Sequence, residues 1–232
     1  MGKRMSEAAW ARALPFGVFM AFLGLEEGLR FGNGTGWWRL SERFFLLAYP
    51  VKIAAVVAAL LFFRHCYREL DLHDGKNLKY LLASLALGLA VFGLWIRMEW
   101  GSLALTPGVT PDPALLGSEA ARVAWIAVRL FGAVLVVPVM EELFWRSFII
   151  RYLIHADFET VPIGAFTWFS CLATIVLFGL EHNLIAAGMM AGAAYNLLLY
   201  RTRSLFRCVV AHAVTNLALG IYVLKTGQWQ FW

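Results

Sequence analysis

Seven apolar runs, each near the length that crosses a bilayer, follow one another along this chain with only short polar links between them. They cover about Ala11 to Leu29, Phe44 to Phe63, Leu78 to Ile96, Ala120 through Leu153, Ile163 to Leu180, Leu184 to Tyr200 and Leu205 to Leu224. At ~1.5 Å of rise per residue, about 20 residues of helix span the hydrocarbon layer. Continuous apolar runs specify helices, which satisfy their own backbone hydrogen bonds where water is absent, whereas a barrel needs alternation. The expected fold is an all-α polytopic transmembrane bundle of about seven to eight spans, with residues 1–232 forming a single integral membrane domain. A soluble fold is excluded because a chain 61% hydrophobic and 15% charged, with 18 Phe and 10 Trp, could not hide its apolar surface from water. Disorder and a disulfide scaffold fit this composition no better.

The links carry the turn chemistry. Residues 31–43 include Gly32, Gly34 and Gly36, residues 64–77 include Arg64, Arg68, Asp71, Asp74 and Gly75, and residues 106–118 include Pro107, Pro111 and Pro113. The net charge of +5 is scattered between apolar runs rather than gathered on a polar stripe, which suits lipid headgroups and not nucleic acid. With seven crossings, Lys3, Arg4, Arg64, Arg68, Lys76, Lys79, Arg151, Arg201, Arg203 and Arg207 fall on the face of the N-terminus. Arg30, Arg39, Arg43, Arg97, Arg122 and Lys225 fall on the other. That bias favours a cytoplasmic N-terminus. Cys66, Cys171 and Cys208 are an odd set without metal-type spacing and read as reduced packing residues.

Ionisable groups inside such runs cost several kcal/mol unless paired, hydrated or protonated, so each requires a reason. Glu141, Glu142 and Arg146 stand within the fourth run. Glu142 and Arg146 are four apart and can pair on one helix face, while Glu141 points about 100° away. A carboxyl so isolated suits a general base, although two acids at a helix end in the headgroup layer would look the same. Phe178 and His182 close the fifth run at the same four-residue spacing, placing a ring beside an imidazole; Glu181 reads as a loop charge. His212 and Asn216 stack likewise inside the last run, as hydrogen-bond donors for a developing oxyanion or as an interhelical clamp. Glu26, Glu27 and Arg30 read as a solvated helix end. Taken together, an acid, two imidazoles and an amide on three apolar spans favour hydrolysis within the membrane.

In order along the later spans, Glu141-Glu142-x-x-x-Arg146, Phe178-x-x-x-His182 and His212-x-x-x-Asn216 resemble the three-motif signature of the CPBP intramembrane proteases, a group that includes the CAAX prenyl endopeptidases and bacteriocin-processing or immunity proteins. Val-Pro-Val-Met-Glu-Glu-Leu-Phe-Trp-Arg, Phe-Gly-Leu-Glu-His and the ending Thr-Gly-Gln-Trp-Gln-Phe-Trp also resemble a bacterial CAAX-protease-related subgroup that accompanies exosortase systems. The resemblance implies a CAAX-protease-like helical fold and a glutamate-dependent endopeptidase with its catalytic core at 120–224. It implies that Glu141 activates water with His182, that His212 and Asn216 form the oxyanion hole, and that Glu142, Arg146 and Phe178 support them; Glu142 is the competing candidate for the base. No cofactor is implied. A zinc site built on His182, His212 and Glu141 is the rival, but the His-Glu-x-x-His helix pattern is missing.

The expected partners are the lipid bilayer and a membrane-anchored protein or peptide tail. A non-enzymatic scaffold or immunity protein using the same polar network is the competing class, and the missing repeat symmetry argues against transport. Two features strain the reading. From Arg151, Glu141 lies ten residues up its helix, at ~15 Å, and His212 is comparably deep, yet His182 would end the fifth span on the opposite side unless Gly179 breaks the helix or the span starts deep or tilts. The run from Ala120 to Leu153 is also too long for one simple crossing, which predicts a bent, broken or protruding helix near Pro138 or a reentrant piece.

Overall fold

The computed structural model describes residues 5–98 and 112–231, so Lys3, Arg4, Pro107 and Pro111 lie outside the described residues. The seven apolar runs fold as seven helices: α1 (Glu7–Gly34), α2 (Glu42–Phe62), α3 (Leu78–Trp95), α4 (Glu119–Tyr152), α5 (Trp168–Leu180), α6 (Ile185–Thr202) and α7 (Leu205–Thr226). Among the described residues there is no strand, and the protein is an all-α polytopic membrane bundle. α1, α2, α3, α4 and α7 are long and apolar enough to cross a membrane.

Helix starts follow from side-chain caps. Ser6, Asn77, Ser118, Thr167 and Ser204 each accept a hydrogen bond from the backbone N–H three residues on, using a donor that the first turn leaves unpaired. The cap at Thr167 makes α5 much shorter than its apolar run. Gly164 takes a left-handed φ of 79°, which ends any helical continuation from Ile163, and Thr167 then starts a helix of only 13 residues.

The long fourth run stays one helix of 34 residues, neither broken nor reentrant. Its irregularity is absorbed as two π-helical stretches, Gly132–Val136 and Leu143–Ile149, on either side of the segment Val137–Glu142. Pro138 has no N–H to give the preceding turn, and a widened turn just before it accommodates the missing bond.

The buried core gathers where α3, α4, α5, α6 and α7 meet. Val91, Trp145, Ile150, Phe178, Tyr195, Leu199, Cys208 and Ala211 pack there, while Leu46, Tyr49, Ile53, Trp125 and Met140 form a second cluster between α2 and α4. Small residues set the closest helix approaches. A Cβ on Gly88 would strike the Ala211 carbonyl, so α3 and α7 touch backbone to backbone. A Cβ on Gly188 would lie 3.0 Å from the Gly179 Cα, which brings α5 and α6 to similar intimacy. Outward faces carry Phe62, Leu89, Trp168, Phe169 and Leu197, a surface suited to lipid.

One end of the bundle is tied by charge. Arg12 on α1 donates to both oxygens of Glu69 at 2.8 Å, and Ser147 of α4 donates to the same carboxylate. Arg151 donates to Ser147 Oγ at 2.8 Å and to the Val161 carbonyl at 3.2 Å, so the 64–77 link is anchored across α1 and α4. At the other end of α1, Arg30 pairs with Glu26 at 3.3 Å, as the spacing predicts, and also reaches Glu42. The three cysteines are free.

Candidate active site

The three motifs meet around one cavity of about 200 Å³, whose wall includes Glu141, His182, His212 and Asn216. Of the acid pair of α4, Glu141 lines it and Glu142 does not. Glu142 is fully buried: Oε1 accepts from Arg146 Nη1 at 3.2 Å and lies 3.0 Å from His212 Nδ1. An ionised carboxylate can only accept, so Nδ1 of His212 carries a proton, and Nε2 is the nitrogen turned toward Glu141 Oε2, 3.9 Å away. Glu142 therefore fixes the orientation of His212. Tyr195 stacks on the same ring at 5.1 Å and holds its own hydroxyl on Thr215 at 2.8 Å.

Arg146, within the second π stretch, reaches back to Glu142 and also donates to Asn196 Oδ1 at 3.2 Å and the Gly192 carbonyl at 3.4 Å. Its guanidinium lies 4.4 Å from the centroid of the Phe178 ring. Phe178 thus supports the ion pair on one side and His182, 4.8 Å away between rings, on the other. His182 Nδ1 sits 2.7 Å from the Phe178 carbonyl, which again can only accept, so Nδ1 carries a proton and, in the neutral ring, Nε2 has the lone pair. Trp95 of α3 meets that imidazole edge-on at 5.3 Å.

Glu141 differs from its neighbour in having no fixed bond. It is 6% exposed, and its Oε2 is buried without a hydrogen-bond partner. Asn216 is partly engaged, since its amide donates to the Ala133 carbonyl at 2.8 Å, within the first π stretch; an amide has two such protons, and one remains.

The expected obstacle at His182 disappears because α5 is short. Thirteen residues rise only ~20 Å, so the helix ends inside the bundle beside α4. Gly179 does not break it; its missing side chain lets the α5–α6 turn fold tightly against Met189 and Ile185.

Glu181 is not the loop charge that the sequence suggests. Its side chain is 9% exposed, and both oxygens accept from Trp145 Nε1, at 3.1 and 3.2 Å. Glu141, Glu181 and His182 each bring one ligand-type atom within 4.8 Å of the others. This trio, and not His182, His212 and Glu141, is the set near the cavity spaced to grip a cation. The signal available beforehand was a run of three polar residues, Glu181-His182-Asn183, directly after an apolar run.

No curated protein and no solved structure matches the chain. Residues 123–218, which hold all three motifs but are less than half of the chain, match the family model described as Type II CAAX prenyl endopeptidase Rce1-like, a match that supports the CPBP family.

Proposed function

We propose that this chain is a glutamate-dependent intramembrane endopeptidase that cuts a peptide bond in a membrane-anchored protein or peptide tail. The observation that carries the proposal is the convergence of Glu141, His182, His212 and Asn216, from three stretches of chain, on one cavity. Its volume of about 200 Å³ accommodates a water, whose share of liquid volume is ~30 Å³, beside a peptide unit.

Each glutamate has an Oε2 without a hydrogen-bond partner, but Glu142 is held through Oε1 by Arg146 and His212, whereas Glu141 lines the cavity with no hydrogen bond fixing it; this supports Glu141 as the base. Glu141, assisted by the Nε2 lone pair of His182, takes a proton from water as the water oxygen attacks the scissile carbonyl. His212 Nε2–H and the second amide proton of Asn216 hold the oxyanion, the imidazolium being stabilised by Glu142. The C–N bond then breaks and a proton returns to the amine. No step requires a cofactor, and residues 120–224 act as the catalytic core of a single integral membrane domain.

We place the protein in a bacterial cytoplasmic membrane with its N-terminus in the cytoplasm, its partners being the bilayer and a tethered tail, with no nucleic acid. The ending and motif contexts support work linked to exosortase-type sorting. The test is incubation of the detergent-solubilised protein with membrane-anchored tails, comparing wild type with Glu141→Gln, with and without chelator. Cleavage by wild type alone, indifferent to chelator, is expected. Retained cleavage in the variant would mean that the acid is only structural, and chelator sensitivity would favour a metal held by Glu141, Glu181 and His182.

A further inference from the structure

Among the described residues, two sets of three metal-type ligands stand within reach of one another: the one beside the cavity, and a second formed by Glu7, His65 and Cys66. The second lies at the charged end of the bundle, on a cleft of about 670 Å³ that shares no residue with the cavity of the three motifs. Glu7 stands in the first turn of α1, and His65 and Cys66 follow the end of α2. One carboxylate oxygen, one imidazole nitrogen and one sulfur lie within 4.8 Å of each other, and His65 Nε2 is 3.3 Å from Glu7 Oε1. Hydrogen bonds outside the cluster hold its two halves together. Arg12 donates through Nη1 to the Ala8 carbonyl at 2.7 Å and through Nη2 to the Cys66 carbonyl at 3.0 Å, so one guanidinium grips both the neighbour of Glu7 and Cys66 itself. The Tyr67 hydroxyl donates to the Ala11 carbonyl at 2.8 Å. The charge of Arg12 is met by Glu69, and Glu159 adds a further acid to the same cleft.

We propose that Glu7, His65 and Cys66 bind one divalent ion of the zinc class. Sulfur, imidazole nitrogen and carboxylate oxygen are the three donor types that zinc takes, and a tetrahedral ion held at about 2.0–2.3 Å needs its ligand atoms roughly 3.4–3.6 Å apart. Glu7 and His65 already stand near that separation, and the sulfur has ~1.3 Å at most to close. The His65 and Glu7 side chains are 62% and 69% exposed, so they can shift by that much and an ion can enter from water. A His–Glu contact alone would be an ordinary surface pair. The sulfur beside it makes the donor set too soft for calcium or magnesium, which take oxygen ligands. On binding, His65 offers the Nε2 lone pair, Cys66 releases its thiol proton to solvent, and a water from the cleft takes the fourth position. The ion thereby clips the first turn of α1 to the link after α2. Spacing in the sequence could not show this site, because its two halves are 58 residues apart. It stands independently of the hydrolytic reading.

Full-length protein in detergent, stripped with a chelator and dialysed, is titrated with Zn²⁺ against a chromogenic competitor and, separately, with Co²⁺. A thiolate-bound zinc, one per chain, is expected, with a thiolate-to-cobalt charge-transfer band in the near ultraviolet. Cys66→Ser should abolish that band. Cys66→Ser, His65→Gln and Glu7→Gln should each weaken zinc binding by at least about tenfold, the lower end of what even the supporting residues of a metal site contribute. His73→Gln, on the same link but outside the cluster, and Glu141→Gln, in the cavity, should bind as wild type does. None of the three ligands is buried, and unchanged helix content by circular dichroism shows that a variant has lost the site and not its fold. No band in wild type, a band that survives Cys66→Ser, or unchanged zinc affinity in His65→Gln or Glu7→Gln overturns the proposal. So does zinc binding that is kept in Cys66→Ser and lost in Glu141→Gln, which assigns the ion to the set beside the cavity.

Discussion

Glu142 is the acceptor for two buried donors at once, and that geometry sets the size of its loss. In Glu142→Gln, Arg146 Nη1 and His212 Nδ1 exchange a charged acceptor for a neutral one, and the Arg146 cation is left buried at 1% exposure without its counterion. Hydrogen bonds to charged groups contribute about 1.5–3 kcal/mol each, so two of them give ~3–6 kcal/mol. Independent experience with one-sided removal of buried ion pairs gives about 3–5 kcal/mol. The two routes agree. Arg146→Met should cost a similar ~3–5 kcal/mol, because Glu142 is then the orphan and the bonds to Asn196 and Gly192 are lost as well. The double variant has no buried charge left unpaired at this pair, so its cost should fall short of the sum of the singles by up to ~3 kcal/mol. Equilibrium unfolding in mixed detergent micelles measures all four proteins. Additive costs within about 0.5 kcal/mol would show that the pair is not coupled and that the account of Glu142 as a hub is wrong. The double variant should remain nearly inactive even where it folds, since nothing then orients His212.

Glu141→Gln should abolish cleavage yet leave the unfolding midpoint unchanged or slightly raised, because it removes a buried charge with no fixed partner; a destabilised protein in that assay would contradict the assignment. Gly188→Ala places a methyl 3.0 Å from Gly179 Cα and 3.2 Å from the His182 side chain, so it should cost ~1–3 kcal/mol and lower kcat by moving His182. The same substitution at Gly24, where nothing lies within 4 Å, is the control. Arg12→Ala strips Glu69 of its bidentate partner and should destabilise by ~3–5 kcal/mol, while kcat per folded molecule stays at the wild-type value; a kcat defect would link that end of the bundle to the cavity.

What could be read beforehand depended on range. Helix positions were legible because hydropathy and capping are local, and all seven apolar runs became helices. The four-residue pairs Glu142/Arg146 and Phe178/His182 were legible for the same reason, since one helical turn fixes them. The lengths of individual helices were not, because Gly164 and Thr167 end an apolar stretch that hydropathy alone would continue. The π stretches around Pro138 were not either: a missing N–H requires some accommodation, but packing decides whether it is a break, a kink or a widened turn. Glu181 was misplaced because its partners, Trp145 and Glu141, are about forty residues away in sequence and only the short α5 brings them together. Glu69 likewise has no local cue for its meeting with Arg12.

The brevity of α5 also bears on the lipid outside it. Trp168, Phe169, Leu172, Leu177 and Leu180 project from the bundle, so this helix faces acyl chains along its length. At ~20 Å it falls about 10 Å short of the hydrocarbon thickness, and a bilayer meets such a mismatch by thinning around the short element. A bilayer that thins there draws headgroups and their hydration inward beside the turn that carries His182, and under the proposed function that dimple is where water and a polar tail would enter.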